Sequence, residues 1–246
     1  MGTLGDAVGP PAPIQGLAPR QSHSNHVRAG RRRSWTRVVQ IAFLLAVTVA
    51  GIPSARAHPH AWIDVRTTVV LDDEKKVTAF EQEWLFDPFY SALATDGGAG
   101  RSEQTSEALT ALADENLKNL AKHYYFLDVR ADDQRLAFGT VTEFSSEMRG
   151  PRLWMRFVAP LTRAVDPRSR RVVFRAYDPS YWIEMLYLEG DVVSIRGKGA
   201  GRCHAPIVGS TPSLETVALA AALDRGARGA DGFGLLFAES VPITCD

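Results

Sequence analysis

Residues 60–86, HAWIDVRTTVVLDDEKKVTAFEQEWLF, read as two strands joined by a tight turn. Residues 60–71 and 76–86 are rich in β-branched and aromatic side chains, which suit a pleated, half-buried surface. Between them Asp72-Asp73-Glu74-Lys75 supplies hairpin-type turn chemistry. Outward from this hairpin, further strand-like runs cover 123–130, 135–145, 151–159, 171–177, 181–188 and 191–196, with a last short strand at 241–245. Asp132-Asp133 and Asp166-Pro167 punctuate them. Two helices interrupt the series. From Ser102 to Lys122, Leu109, Leu112, Ala113, Leu117, Leu120 and Ala121 repeat at helical spacing. A second helix is signalled by Thr211 as cap, Pro212 at the first helical position and Gly226 beyond the last turn. Because the helices do not alternate with the strands, a doubly wound or barrel α/β fold is excluded. The expectation is α+β, mainly antiparallel β with two helices; the alternative is a β-sandwich with helical insertions. The classical two-lobed solute-binding architecture, built of parallel α/β lobes, is disfavoured on the same ground.

The N-terminus reads as an address. Of 28 basic and 28 acidic residues in 246, the first 57 hold seven Lys/Arg and only Asp6 as an acid. Arg31-Arg32-Arg33 precedes an apolar stretch from Val38 to Ile52, closed by Ala55-Arg56-Ala57. Basic start, short apolar core and small residues at the end form a secretory signal, with cleavage expected after Ala57. The division is therefore 1–57 as N-terminal extension and signal peptide, and 58–246 as a periplasmic β-rich domain. After cleavage no segment approaches the roughly 20 apolar residues of a spanning helix. The mature part holds 21 basic and 27 acidic residues, a balance that argues against nucleic-acid binding. In an oxidising compartment Cys203 and Cys245, the two cysteines of the chain, read as a disulfide.

Enzymatic motifs are absent: no G-x-S-x-G, no P-loop, no H-E-x-x-H. Gly197-Lys198-Gly199-Ala200-Gly201 lacks the spacing of a phosphate loop and reads as a turn. No enzyme is expected. One segment stands out, His58-Pro59-His60-Ala61-Trp62-Ile63-Asp64, directly after the cleavage site. On an extended strand His58, His60, Trp62 and Asp64 share a face, with the two imidazoles about 6–7 Å apart. Two imidazoles so placed can converge on one ion, with a carboxylate as third ligand or orienter. Imidazole suits Zn, Cu and Ni. Pro59 has no amide N–H to lose, which disfavours the square-planar N-terminal mode. A chelate by the amine and ring of a terminal His58 remains open, resembling the histidine brace of exported copper proteins. A solvated tail that binds nothing is the plainer alternative.

Phe86-Asp87-Pro88-Phe89-Tyr90 and Tyr177-Asp178-Pro179-Ser180-Tyr181 share the pattern aromatic-Asp-Pro-x-Tyr, an echo that two β-rich units would produce. Asp87 and Asp178 are candidate ligands, though carboxylates in such turns more often cap backbone N–H groups. Tyr90, Tyr177 and Tyr181 read as core or rim aromatics. His123 ends the first helix, where a cationic imidazole suits the helix dipole; it could otherwise complete a three-ligand site.

Together the H-P-H-x-W-I-D start, Trp84–Tyr90, Asn116-Leu117 with Tyr125-Phe126, Tyr177–Trp182 and the Cys203/Cys245 pair resemble a family of exported bacterial proteins of unknown function. Its members are commonly labelled periplasmic components of an uncharacterised ABC-type transport system and often accompany nickel/cobalt-type permeases. The resemblance spans 58–246 and implies a role in transition-metal transport, with a membrane permease as partner. Carried over by position, the motif residues are His58, His60, Asp64, Asp87, Asp178 and Tyr181, with Trp62, Tyr90 and Tyr177 as accompanying aromatics. The expected cargo is Zn, Ni or Co, with Cu in the brace alternative. A structural partner of the permease with no metal of its own is the third possibility.

Overall fold

A computed structural model describes residues 59–95, 105–223 and 229–246. The signal segment, His58 and Gly226 lie outside the described residues. Strands β1 (Ala61–Leu71) and β2 (Val77–Phe86) form the expected antiparallel hairpin, with Ile63 opposite Phe86 and Val69 opposite Phe80. The Asp72 carboxylate closes its turn by accepting the Glu74 and Lys76 N–H groups, both at 2.9 Å. Helix α1 (Pro88–Thr95) follows directly, and α2 (Ser106–Leu120) begins behind the Thr105 cap. Then come β3 (Leu127–Ala131), β4 (Gln134–Arg135), β5 (Phe144–Arg149), β6 (Arg152–Val165), β7 (Val172–Ala176), β8 (Ile183–Tyr187) and β9 (Val193–Arg196). The short β10 (Cys203–His204), helix α3 (Leu214–Ala222) and β11 (Val241–Cys245) complete the described chain.

The strands make two sheets. One has the order β5-β6-β2-β1-β8, with β9 also on β1; the other runs β10-β11-β7-β3-β4. Pairing is antiparallel except along one edge of β1. There β8 lies beside residues 61–65 and β9 beside residues 67–70, both parallel to it. The sheets face each other across one core. Ile63, Val65, Phe80, Trp84 and Phe157 of the first meet Leu127, Val129, Phe174 and Ile243 of the second, and the rings of Phe80 and Phe174 lie 5.1 Å apart. Each of these side chains adds about 1.5–3 kcal/mol by leaving water. The α+β class holds, with the sheets arranged as a sandwich and the helices at its margins. The Phe86–Tyr90 and Tyr177–Tyr181 echo marks two turns within this one core.

Several boundaries differ from expectation. Helix α1 was not expected: Asp87 is its cap and Pro88 its first residue, a placement proline tolerates well. Residues 121–126 form a tight helical turn in which Tyr124, Tyr125 and Phe126 take φ near +55°, so the strand starts only at Leu127. Most of 135–145 is a loop, pinned by the Phe138–Leu161 bridge. The cap of α3 is Ser213, whose hydroxyl accepts the Thr216 N–H, two residues beyond Thr211. Gln82 is fully buried on the core face of β2. Its amide donates to Thr67 Oγ1 at 2.9 Å, and that hydroxyl also bonds Tyr187 Oη.

Cys203 and Cys245 form the disulfide, joining directly opposed positions of β10 and β11 across a separation of 42 residues. By closing that loop in the unfolded chain it stabilises by about 4 kcal/mol in the chain-entropy account. Urea unfolding with and without dithiothreitol is expected to differ by that amount; coincident curves would show that the closure contributes nothing.

Candidate functional site

Of the residues singled out in the sequence, His60, Trp62, Asp64, Asp87 and Asp178 lie around the start of β1. His60 N–H donates to the Trp182 carbonyl at 2.9 Å, which begins the parallel pairing with β8. The imidazole lies against the Trp182 indole, ring centroids 4.0 Å apart. On the other side Asp87 N–H donates to the Trp62 carbonyl, and the Asp87 carboxylate takes back the Trp62 N–H at 3.0 Å. Its second oxygen accepts the Phe89 and Tyr90 N–H groups that open α1. An aspartate there satisfies helix-end donors and sits well in the helix dipole.

Asp178 does the corresponding work on the β8 side. One oxygen accepts the Ser180 N–H at 2.9 Å and the other the Trp182 and Ile183 N–H groups at 3.0 Å, while the carboxylate is almost wholly buried. Tyr181, at the apex with φ +56°, stacks on Phe237 at 4.0 Å. Gly234 fits beneath because it has no side chain: a methyl there would overlap the Asp178 carbonyl oxygen. The echoed sequences are thus two Asp-Pro turns, one on each flank of the β1 start.

Asp64 is engaged as well. It pairs with Arg152 at 2.7 Å, and that guanidinium also donates to the Leu85 and Phe86 carbonyls. The three aspartates proposed as ligands therefore serve the frame around β1. Tyr90 packs on Phe86 at 5.2 Å, and burial together with Asp87 raises its phenol above the ordinary pKa. Tyr177 continues from β7, its amide bonded to the Phe126 carbonyl, and burial likewise raises its phenol. His123 is solvent-exposed in the turn after α2 and lines a cleft of about 260 Å³ with Trp182 and Asp231. Among the described residues no three His, Cys, Asp or Glu side chains converge in a way that could hold a metal ion.

One residue was missed. Glu184 stands beside Trp62 in the parallel register and accepts its indole N–H at 3.0 Å. Loss of water raises the Glu184 carboxyl above the usual carboxylate range, against the lowering effect of the indole bond. With Pro59, Trp62, Tyr181 and Phe237 it lines a second cleft, of about 300 Å³. Its signal was hidden, because only the β1–β8 pairing brings residues 122 positions apart side by side. No helix among the described residues is long and apolar enough to cross a membrane.

An uncharacterized protein of Haemophilus influenzae is 24% identical to the chain over 194 residues, covering 77% of this chain and 92% of its own length. The model of a family described as "Protein of unknown function (DUF1007)" matches residues 43–245, and the chain belongs to that family.

Proposed function

We propose that this chain is an exported, non-catalytic accessory protein that takes up a divalent transition metal (Zn, Ni or Co) at its mature N-terminus and presents it to a membrane permease. The supporting observation is the fixed root of that terminus. Six backbone N–H groups bonded to Asp87 and Asp178 hold the strand start from both flanks, so that residues 59 and 60 leave a rigid frame. A ligand held by such a frame, as His60 is, meets a metal at a lower ordering cost than one on a floppy tail. The ligand set in this reading is His58 and His60. Glu184, on the neighbouring strand and short of water, is the carboxylate that would join or orient them. Asp64, Asp87 and Asp178 keep the frame in place. Cleavage after Ala57 would add the terminal amine of His58, and that is where a copper-selective brace would part company with a Zn, Ni or Co carrier.

Calorimetric titration of the exported, cleaved protein with Zn²⁺, Ni²⁺, Co²⁺ and Cu²⁺ tests this. Binding at about micromolar or tighter Kd is expected, weakened at least about 100-fold in His58→Ala/His60→Ala. A preference for Cu²⁺ that vanishes when one residue precedes His58 would replace the carrier by the brace. Equal binding by both proteins would sink the N-terminal site.

A further inference from the structure

We propose that the outer face of the second sheet is a binding cleft for a small organic anion, one carrying carboxylate or phosphate groups on a compact apolar body. The cleft, of about 560 Å³, lies between that face, the 209–211 loop and the turn at Phe233–Leu236. Its floor is set by strand alternation. Leu127, Val129, Val172 and Phe174 point into the core, so Asp128 and Arg130 of β3 and Arg175 of β7 point out, with Asp128 opposite Arg175. Asp128 is only 1% exposed and gathers Arg130 at 2.9 Å, Arg135 at 3.1 Å and Arg175 at 3.7 Å. Arg171, at the rim, pairs with the exposed Asp133 at 2.6 Å.

Charge does not balance in this cluster. Three guanidiniums, Arg130, Arg171 and Arg175, line the cleft against two carboxylates, Asp128 and Asp133, which leaves one positive charge over, and Arg135, over the Tyr124 ring, adds a further cation on Asp128 from outside the lining. The neighbouring Arg170–Asp132 pair is neutral, and Glu239 turns away to accept the Tyr187 N–H. Two carboxylate oxygens on Asp128 cannot use all the N–H donors of three guanidiniums, so donors remain for a second, planar or tetrahedral anion. Buried Asp128 fixes the guanidinium positions before any ligand arrives, which is the preorganisation a binding site needs. The opposite wall is apolar: Leu235 and Leu236 stand 39% and 50% exposed there. A cationic floor under an apolar wall selects an organic anion over an inorganic one. The residues of this cleft are separate from His58, His60 and Glu184, so the inference stands whether or not the metal reading does.

The test titrates the metal-free protein by calorimetry with citrate and with glycerol 3-phosphate, and with inorganic phosphate as the arm lacking an organic body. Saturable binding of at least one organic anion is expected, weakening as sodium chloride rises from 20 to about 150 mM. Arg171→Gln/Arg175→Gln leaves Arg130 and Arg135 on Asp128 and is expected to weaken it about fivefold or more. Asp133→Asn is exposed, releases Arg171 and is expected to tighten it about threefold, an effect a merely structural ion cluster would not give. The proposal is overturned if neither organic anion binds, if the arginine variant binds as the parent does, if Asp133→Asn fails to tighten binding, or if inorganic phosphate binds equally well.

Discussion

Asp178→Ala is expected to lower the unfolding free energy by about 4–6 kcal/mol. Three backbone N–H groups, those of Ser180, Trp182 and Ile183, lose their acceptor at once, together with the Ser180 hydroxyl. Hydrogen bonds to a charged group contribute about 1.5–3 kcal/mol each, and the cost of orphaned donors in a buried turn is not recovered from water. Tyr181 is also held at φ +56°, a conformation that persists only while its surroundings fix it. For a domain of this size the midpoint should fall by about 10–20 °C. Asp178→Asn keeps one acceptor oxygen and should cost about half as much. The pair of variants also separates frame from ligand. If Asp178 were chiefly a metal ligand, Asp178→Asn would weaken metal binding with the apo-protein melting unchanged. If it is chiefly a frame residue, both variants would melt early. A loss below about 1 kcal/mol in Asp178→Ala, measured by urea unfolding, would rule out the clamp.

What was legible in advance follows the range of the physical signal. The β1–β2 hairpin showed itself because its pairing is local and its turn residues are specific. The burial of Leu109, Ala113 and Leu117 on α2 followed from helical spacing alone. Where the signal was a composition rather than a period, the reading slipped. The His123–Phe126 run has the aromatics of a strand, yet three of its residues take left-handed backbone that aromatic content does not announce. Asp87-Pro88 reads as a turn, although the same two residue types also make a cap and a first helical position. At the site, the aspartates attracted attention as possible ligands. Asp87 and Asp178 accept backbone N–H groups, the capping alternative that such turns also offer, while Asp64 pairs with Arg152; a one-dimensional pattern cannot separate capping from ligation. Glu184 and the arginine cleft depended on which strands become neighbours. The alternation Asp128, Arg130 in β3 and Arg175 in β7 was present in the chain, but the excess charge exists only once β3, β4 and β7 pair.

Trp84→Ala is expected to cost about 4–5 kcal/mol, because the indole occupies the centre of the sandwich near its most polar point. Trp84 is 2% exposed, edge-on to Phe157 at 5.0 Å and stacked on Phe126 at 6.2 Å. Removing it loses the transfer free energy of a large ring and leaves a cavity that two paired sheets cannot collapse to fill. The polar neighbourhood adds to the loss. The Trp84 indole N–H approaches Gln82 Oε1 at 3.4 Å, the same amide oxygen that takes part in the Thr67 pair. With the indole gone, that amide oxygen loses one donor and faces a cavity walled by the Phe126 and Phe157 rings, an apolar lining that gives a water too few partners. Trp84→Phe refills most of the volume without the N–H and should cost about 1–2 kcal/mol. The double variant Trp84→Ala/Gln82→Leu distinguishes the two contributions. If the cavity dominates, the apolar leucine changes little or worsens the loss by stranding Thr67 and Tyr187. If the unsatisfied amide dominates, the double variant is more stable than Trp84→Ala alone. The cavity argument predicts the first result, because Gln82 Nε2 keeps its 2.9 Å bond to Thr67 in the single variant.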